Sequence, residues 1–331
     1  MRSVIKMKYF LELLICIILI VFVIFILVLN NSNILSKLVG KSFEGGIEVA
    51  REDYDEQKDK VRKISDITYP SKYEQNKLDI VYPKQNPNGK TIFWTHGGAF
   101  VGGDKSDVDK YTTMLASYGY TVVNLNYELA PSAKYPAPVI QISDAYSFIK
   151  ENYKKYKIPL DRVFFAGDSA GAQASAQFIN IQFNEKYSKQ VNIKPVLNKH
   201  TIRGLLLYCG PYEFKAFLES KKFLTRFIFG NIGEAYFGVK DWGDSKEVND
   251  ASLSNHITSE YPPVFITDGN ENSFEEQGRK FANSLKNNGV EVIELFYSKN
   301  EAILKHEYQF ILNTKQGKNT FDKTLEFLEE H

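Results

Sequence analysis

Val163-Phe-Phe-Ala-Gly-Asp-Ser-Ala-Gly171 joins a run of apolar strand formers to a stretch of small residues, with Gly-x-Ser-x-Gly at the join. A serine hydroxyl is a weak nucleophile until a tight turn exposes it beside a base, and a strand-to-helix turn does this. Gly167 and Gly171 suit such a turn, because side chains two residues either side of Ser169 would collide as strand and helix close up. Ala170, Ala172, Ala174 and Ala176 then let the helix lie near a sheet. Taken alone the pattern also fits a serine capping a helix N-terminus. Its place between a buried strand and a helix favours the nucleophile.

Upstream, Phe93-Trp-Thr-His-Gly-Gly-Ala-Phe100 puts His96, Gly97 and Gly98 at the end of another apolar strand. Glycines there leave backbone N–H groups free to face a developing alkoxide, and the Ala170 amide supplies a donor from the other side. His96 reads as a residue that orients this loop by hydrogen bonding. Further strands are expected at Ile64 to Tyr69, Lys77 to Tyr82, Thr91 to Thr95, Thr121 to Tyr127, Gly204 to Cys209, Val264 to Thr267 and Val290 to Phe296. Helical patterns fall between them, near Asp107 to Tyr118, Ala137 to Lys155, Ala170 to Glu185, Ser273 to Asn288 and Phe321 to Glu330. Strand and helix in alternation define an α/β domain with a mostly parallel sheet covered on both faces. Residues 211–261, rich in aromatics, break the alternation and are expected to form a cap over the C-terminal edge of the sheet, where ligands bind in this architecture.

The glycine turn and the serine motif, with Asn126-Tyr-Glu-Leu-Ala-Pro131, Lys134-Tyr-Pro-Ala-Pro138 and Asp144 between them, resemble the hormone-sensitive-lipase-like branch of the α/β hydrolases. The resemblance runs from about Ile64 to the C-terminus. It implies the α/β-hydrolase fold, with an eight-stranded sheet and a small helical cap, and cleavage of carboxylic esters with no metal or organic cofactor. It also places the base late in the chain, where His306 lies in Leu304-Lys-His-Glu-Tyr-Gln-Phe310. His200, His256 and His331 read as surface or packing residues.

The acid departs from that family's pattern. Where the family has Gly-x-x-Asp-x-Leu, this chain reads Asp268-Gly-Asn-Glu-Asn-Ser-Phe274, with Asn272 at the acid position. An amide can orient a histidine but cannot offset imidazolium charge, and in serine proteases that exchange costs about 10⁴ in kcat. Three readings stay open: Asp268, Glu271 or Glu276 reaches His306, Asn272 serves in a slower enzyme, or the site is a relic. Glu271 stands slightly ahead as the neighbour of the expected position. Asp268 also suits a turn before Gly269, and Glu276 a capping box with Ser273.

Composition sets the remaining bounds. The chain has 331 residues, with 41 Lys plus Arg against 40 Asp plus Glu, so charge gives no case for nucleic acid as a partner. Cys16 and Cys209 are placed too differently to pair. Leu13 to Leu29 carries no charged side chain and approaches the ~20 residues of a spanning helix. It is long for a signal peptide and is followed by no small-x-small cleavage site. Arg2, Lys6 and Lys8 before it place the N-terminus in the cytoplasm. The expected organisation is a membrane anchor at 1–31, a linker or cap helix at 32–63, and the catalytic domain at 64–331, held at a cell membrane on the extracytoplasmic side. The expected substrate is a small-molecule acyl ester or an acylated surface glycan. The rival reading is an inactive hydrolase fold used as a surface binding module.

Overall fold

The computed structural model describes residues 2–331, except the side chains of residues 2–6, 8, 24–26 and 29. Helices α1 (Arg2–Leu29), α2 (Ser32–Lys41) and α3 (Tyr54–Asp59) precede strands β1 (Val61–Thr68), β2 (Lys77–Pro83) and β3 (Thr91–Thr95). There follow α4 (Asp109–Ser117), β4 (Thr121–Leu125), α5 (Ala137–Tyr156), β5 (Val163–Asp168), α6 (Ala170–Phe183), α7 (Glu185–Val191) and β6 (Ile202–Tyr208). The chain ends with α8 (Lys215–Leu218), α9 (Phe223–Phe237), α10 (Lys246–Ala251), β7 (Val264–Thr267), α11 (Glu275–Asn287), β8 (Val292–Leu295) and α12 (Lys315–Glu330). All eight expected strands form, the first beginning at Val61 rather than Ile64.

The strands make one eight-stranded sheet in the order β1-β2-β4-β3-β5-β6-β7-β8. β2 runs antiparallel to both β1 and β4, and the pairs from β4 through β8 are parallel. The inner strands are apolar throughout because both faces are covered. Phe93 and Phe165 point into the core beneath α5 and α6, while their neighbours Ile92, Trp94, Phe164 and Ala166 point into the core beneath α4 and α12. Each fully buried Phe or Leu contributes roughly 1.5–3 kcal/mol, so the two-sided central strands fix the register on which the site depends.

Residues 211–261, expected to form a cap, hold α8, α9 and α10. The N-terminal segment adds to it, since α2 packs along α9 and the Ser36 hydroxyl donates to the Asn231 carbonyl at 3.4 Å. The backbone of α2 meets the glycine turn directly: a Cβ on Gly40 would lie 2.1 Å from Val101 O.

The expected membrane-spanning helix is not supported. Among the described residues no helix is long and apolar enough to cross a membrane. α1 forms, and the described apolar side chains of Tyr9 and of Leu13 through Val23 are exposed. The stretch read as the span also takes in residues 24–26 and 29, whose side chains lie outside the described residues.

Candidate active site

β5 ends at Asp168 and α6 begins at Ala170, so Ser169 occupies the turn alone, with φ 48° and ψ −118°. Backbone this far from the common regions persists only where its surroundings enforce it. Here the Ser169 amide is tied to Tyr208 O at 2.8 Å, and α6 sits so close to β3 that a Cβ on Gly171 would fall 2.0 Å from Thr95 O. The strand-to-helix turn read from the sequence is therefore built as expected.

His306, in the loop after β8, brings Nε2 to 3.0 Å from Ser169 Oγ. Its Nδ1 lies 2.7 Å from Ser273 Oγ, and the Ser273 hydroxyl donates to Asp268 Oδ1. That last bond sets the direction of the whole chain. A serine has one proton to give, so with it on Asp268 the Ser273 oxygen accepts from Nδ1–H, and Nε2 carries the lone pair that faces Ser169. Burial lowers the His306 imidazole to about 4, which keeps it neutral at pH 7. Burial also pushes the Asp268 carboxyl up to about 7, against the hydrogen bond from Ser273. Its second oxygen, Oδ2, lies in the core beside the Cys209 thiol without a hydrogen bond of ordinary geometry.

The candidate third members fall elsewhere. Asn272 adopts a left-handed backbone (φ 50°), and its side-chain oxygen accepts from Lys222 Nζ at 3.2 Å instead of from His306. Glu271 contributes its backbone: its amide donates to Leu304 O at 2.9 Å, pairing this loop with the one that carries His306. Glu276 pairs with Lys280 at 2.7 Å on the exposed face of α11. The alternative reading of Glu276, a capping box with Ser273, does not form, because Ser273 is taken by His306 and Asp268. Of the carboxylates left open by the sequence, Asp268 is the one connected to His306, through the Ser273 hydroxyl.

The glycine turn is also rearranged. Among the described residues the Gly98 amide (φ +100°) has no hydrogen-bond partner, and a Cβ there would strike Gly102 O at 2.1 Å. Ala170 opens α6, so its amide has no partner within the helix. The Gly97 amide, expected with these two as an oxyanion donor, is spent on Asp168 Oδ2 at 2.7 Å. His96 takes the structural role expected of it: Nδ1 lies 2.8 Å from Gly97 O, and the ring stacks on Tyr127 at 4.4 Å, whose hydroxyl reaches both His96 O and Gly97 O at 3.1 Å.

Among the described residues, Cys209, Asp268 and His306 bring potential ligand atoms within 4.8 Å of one another. Burial pushes the Cys209 thiol up, so it stays protonated, and Nδ1 of His306 is already bonded to Ser273; we assign no ion to this group. Above Ser169 and His306 opens a cleft of about 980 Å³, walled by Phe214, Phe217, Ile228, Phe229 and Ile232 of the cap and by Phe43 and Ile47 of the N-terminal segment. That is the upper end of the range for small-molecule sites.

Sheet order, turn and loop placement together define an α/β hydrolase. The chain belongs to the alpha/beta hydrolase fold family, whose pattern it matches over residues 92–301. Among solved structures it is similar to esterase B from Lactobacillus rhamnosis, with a TM-score of 0.71 and 20% identity over 86% of this chain and 88% of that one. A form of that esterase inhibited by a C4-C4 SN3 tributyrin phosphonate is equally similar, at 0.70 and 20% over 86% and 87%. The hyperthermophilic esterase of the archaeon Pyrobaculum calidifontis matches with a TM-score of 0.63 and 17% identity, covering 89% of this chain and 88% of that one. At these identities the likeness is one of fold.

Proposed function

We propose that this chain is a carboxylic-ester hydrolase that works through an acyl-Ser169 intermediate. The observation that carries the reading is the directed chain from Ser169 Oγ through His306 and Ser273 to Asp268, with 3.0 Å between hydroxyl and imidazole. His306 Nε2 takes the proton as Ser169 Oγ bonds to the ester carbon. The Gly98 and Ala170 amides hold the resulting oxyanion, and the imidazolium returns its proton to the departing alkoxide. Water then attacks the acyl carbon with His306 again as base, releasing the acid and restoring Ser169. A relic would have no reason to retain a neutral, correctly oriented base and two free oxyanion donors, so the binding-module reading loses its support.

The aromatic and aliphatic walls of the cleft suit an ester of short to medium apolar acyl chain. The tributyrin phosphonate on esterase B supports trying glycerol butyrate esters first. An acylated surface glycan is the other substrate we propose to test, and the apolar walls place it second. We further propose that the exposed apolar helix α1 holds the domain at a cell membrane.

The test is labelling of the full chain by a fluorophosphonate probe at neutral pH, with tributyrin and an acetylated glycan as competitors. Labelling that tributyrin suppresses is expected. A folded chain that never labels would overturn the reading.

A further inference from the structure

Glu307 follows the base directly, and its carboxyl is an acidic group at the reaction centre that ester cleavage as described does not use. The residue is left-handed (φ 61°), its amide donates to Cys209 Sγ at 3.3 Å, and its Oε1 lies 3.8 Å from His306 Nε2. The Glu307 carboxyl faces that of Asp168 across Gly97. Both crowd Gly97, where a Cβ would lie 2.4 Å from Asp168 Oδ2, 2.9 Å from Glu307 Oε1 and 3.1 Å from the Cβ of Ser169. Two carboxyl groups crowded together in this way hold a proton between them, since two adjacent negative charges out of water repel strongly. Asp168 already accepts from Trp94 Nε1 at 2.9 Å and from the Gly97 amide at 2.7 Å, bonds that favour its ionised form. The proton therefore sits on Glu307.

We infer that Glu307 is a positioning residue for the oxyanion hole: as a neutral acid it donates to Asp168, which holds the Gly97 amide and thereby sets the direction of the Gly98 amide. Its neutrality also keeps a second negative charge away from the place where the substrate oxygen becomes negative. This inference rests on the ester-hydrolase reading for its consequence in catalysis, while the shared proton itself does not. The titratable groups facing the pair include His306 on the same loop, Asp107 ahead of α4, Asp268 after β7, Cys209 after β6 and Tyr127 after β4. Burial, with Asp168 next, holds the Glu307 carboxyl well above the usual carboxylate range, in the direction the geometry requires.

The test compares full-length wild type, Glu307→Gln and Glu307→Ala in two measurements. In the first, kcat and KM for 4-nitrophenyl butyrate are followed from pH 5 to 10. Wild type is expected to lose kcat on the alkaline side as Glu307 ionises. The Gln variant, whose amide still donates to Asp168 but does not titrate, is expected to be several-fold slower at pH 7 and to lack that alkaline limb. The Ala variant is expected to fall about 10²-fold in kcat with KM little changed, because the oxyanion hole acts in the transition state. An alkaline limb identical in wild type and the Gln variant, or an Ala variant as fast as wild type, overturns the assignment.

The second measurement is Tm at pH 5 and pH 8, and it needs no activity. In the unfolded chain Glu307 ionises above about 4.3, while in the folded chain it keeps its proton, so wild type loses stability as pH rises through this window. The Tm of the Gln variant relative to wild type is expected to increase by several degrees from pH 5 to pH 8. A difference that does not change with pH removes the shared proton, whether or not the wild type hydrolyses esters.

Discussion

Ser169→Ala and His306→Ala are each expected to lower kcat for a 4-nitrophenyl ester by about 10⁵ to 10⁶, and the double variant no further. The two side chains act as one unit across their 3.0 Å hydrogen bond: without the imidazole the hydroxyl keeps its proton, and without the hydroxyl the imidazole has nothing to activate. What remains is the contribution of the Gly98 and Ala170 amides and of the cleft, on the order of 10³ over water. KM is expected to change little, because neither side chain supplies much contact with the ground-state ester. The alternative base would be His96, whose ring is fully buried, stacked on Tyr127 and lowered to about 4 by burial. A His306→Ala variant retaining more than about one part in 10³ of the activity would move the base to that position and with it the whole reading of the site.

The strands, the turn at Ser169 and the position of His306 were legible because each rests on a local pattern that the fold has little freedom to alter. Phe164 and Phe165 point to opposite cores because successive strand residues must, and Gly171 is small because its helix touches β3. The acid was illegible for the opposite reason. Whether Asp268, Glu271, Asn272 or Glu276 meets the base depends on the path of one loop, and that path is set by contacts distant in sequence. Pairing of the Glu271 backbone with Leu304 and the left-handed turn at Asn272 direct the Asn272 side chain toward Lys222 and leave Ser273 to face the imidazole. A local rule, the capping box, pointed Ser273 to Glu276, and a tertiary contact overrode it. Gly97 shows a subtler limit. The need for glycine was visible, but its cause is the room taken by two carboxyl groups, one of them on Glu307, more than two hundred residues away in the chain. The anchor was read from composition, and among the described residues no helix is long and apolar enough to cross a membrane.

Asp268→Asn is expected to lower kcat by about 10² to 10³, whereas Asn272→Ala and Glu271→Ala stay within about threefold of wild type. A carboxylate bonded directly to the catalytic imidazole is worth about 10⁴ when replaced by its amide. Here a hydroxyl stands between them, so Asp268 acts on the imidazolium from a greater distance and through a polarised O–H, and the expected loss is smaller. Ser273→Ala breaks the same chain one link earlier, leaves Nδ1 without its acceptor, and is expected to cost at least tenfold. The pH dependence gives the argument a second handle. With its carboxyl pushed up to about 7 by burial, Asp268 takes its charge only as pH rises through that value, so wild-type kcat is expected to climb there and the Asn variant to stay flat. Stability runs the other way. The unfolded carboxyl ionises near 3.9 and the folded one near 7, so the native state binds the proton more tightly and wild type loses stability as pH rises between the two values. The Asn variant escapes that loss, and at pH 8 it is expected to be the more stable protein by up to a few kcal/mol in urea unfolding, with the difference vanishing near pH 4. A variant both slower and more stable at pH 8 marks Asp268 as a charge retained for the reaction against the preference of the core that surrounds it. If instead Asn272→Ala is the slow variant and Asp268→Asn is not, the third partner of His306 is the amide, and the relay through Ser273 plays no part in catalysis.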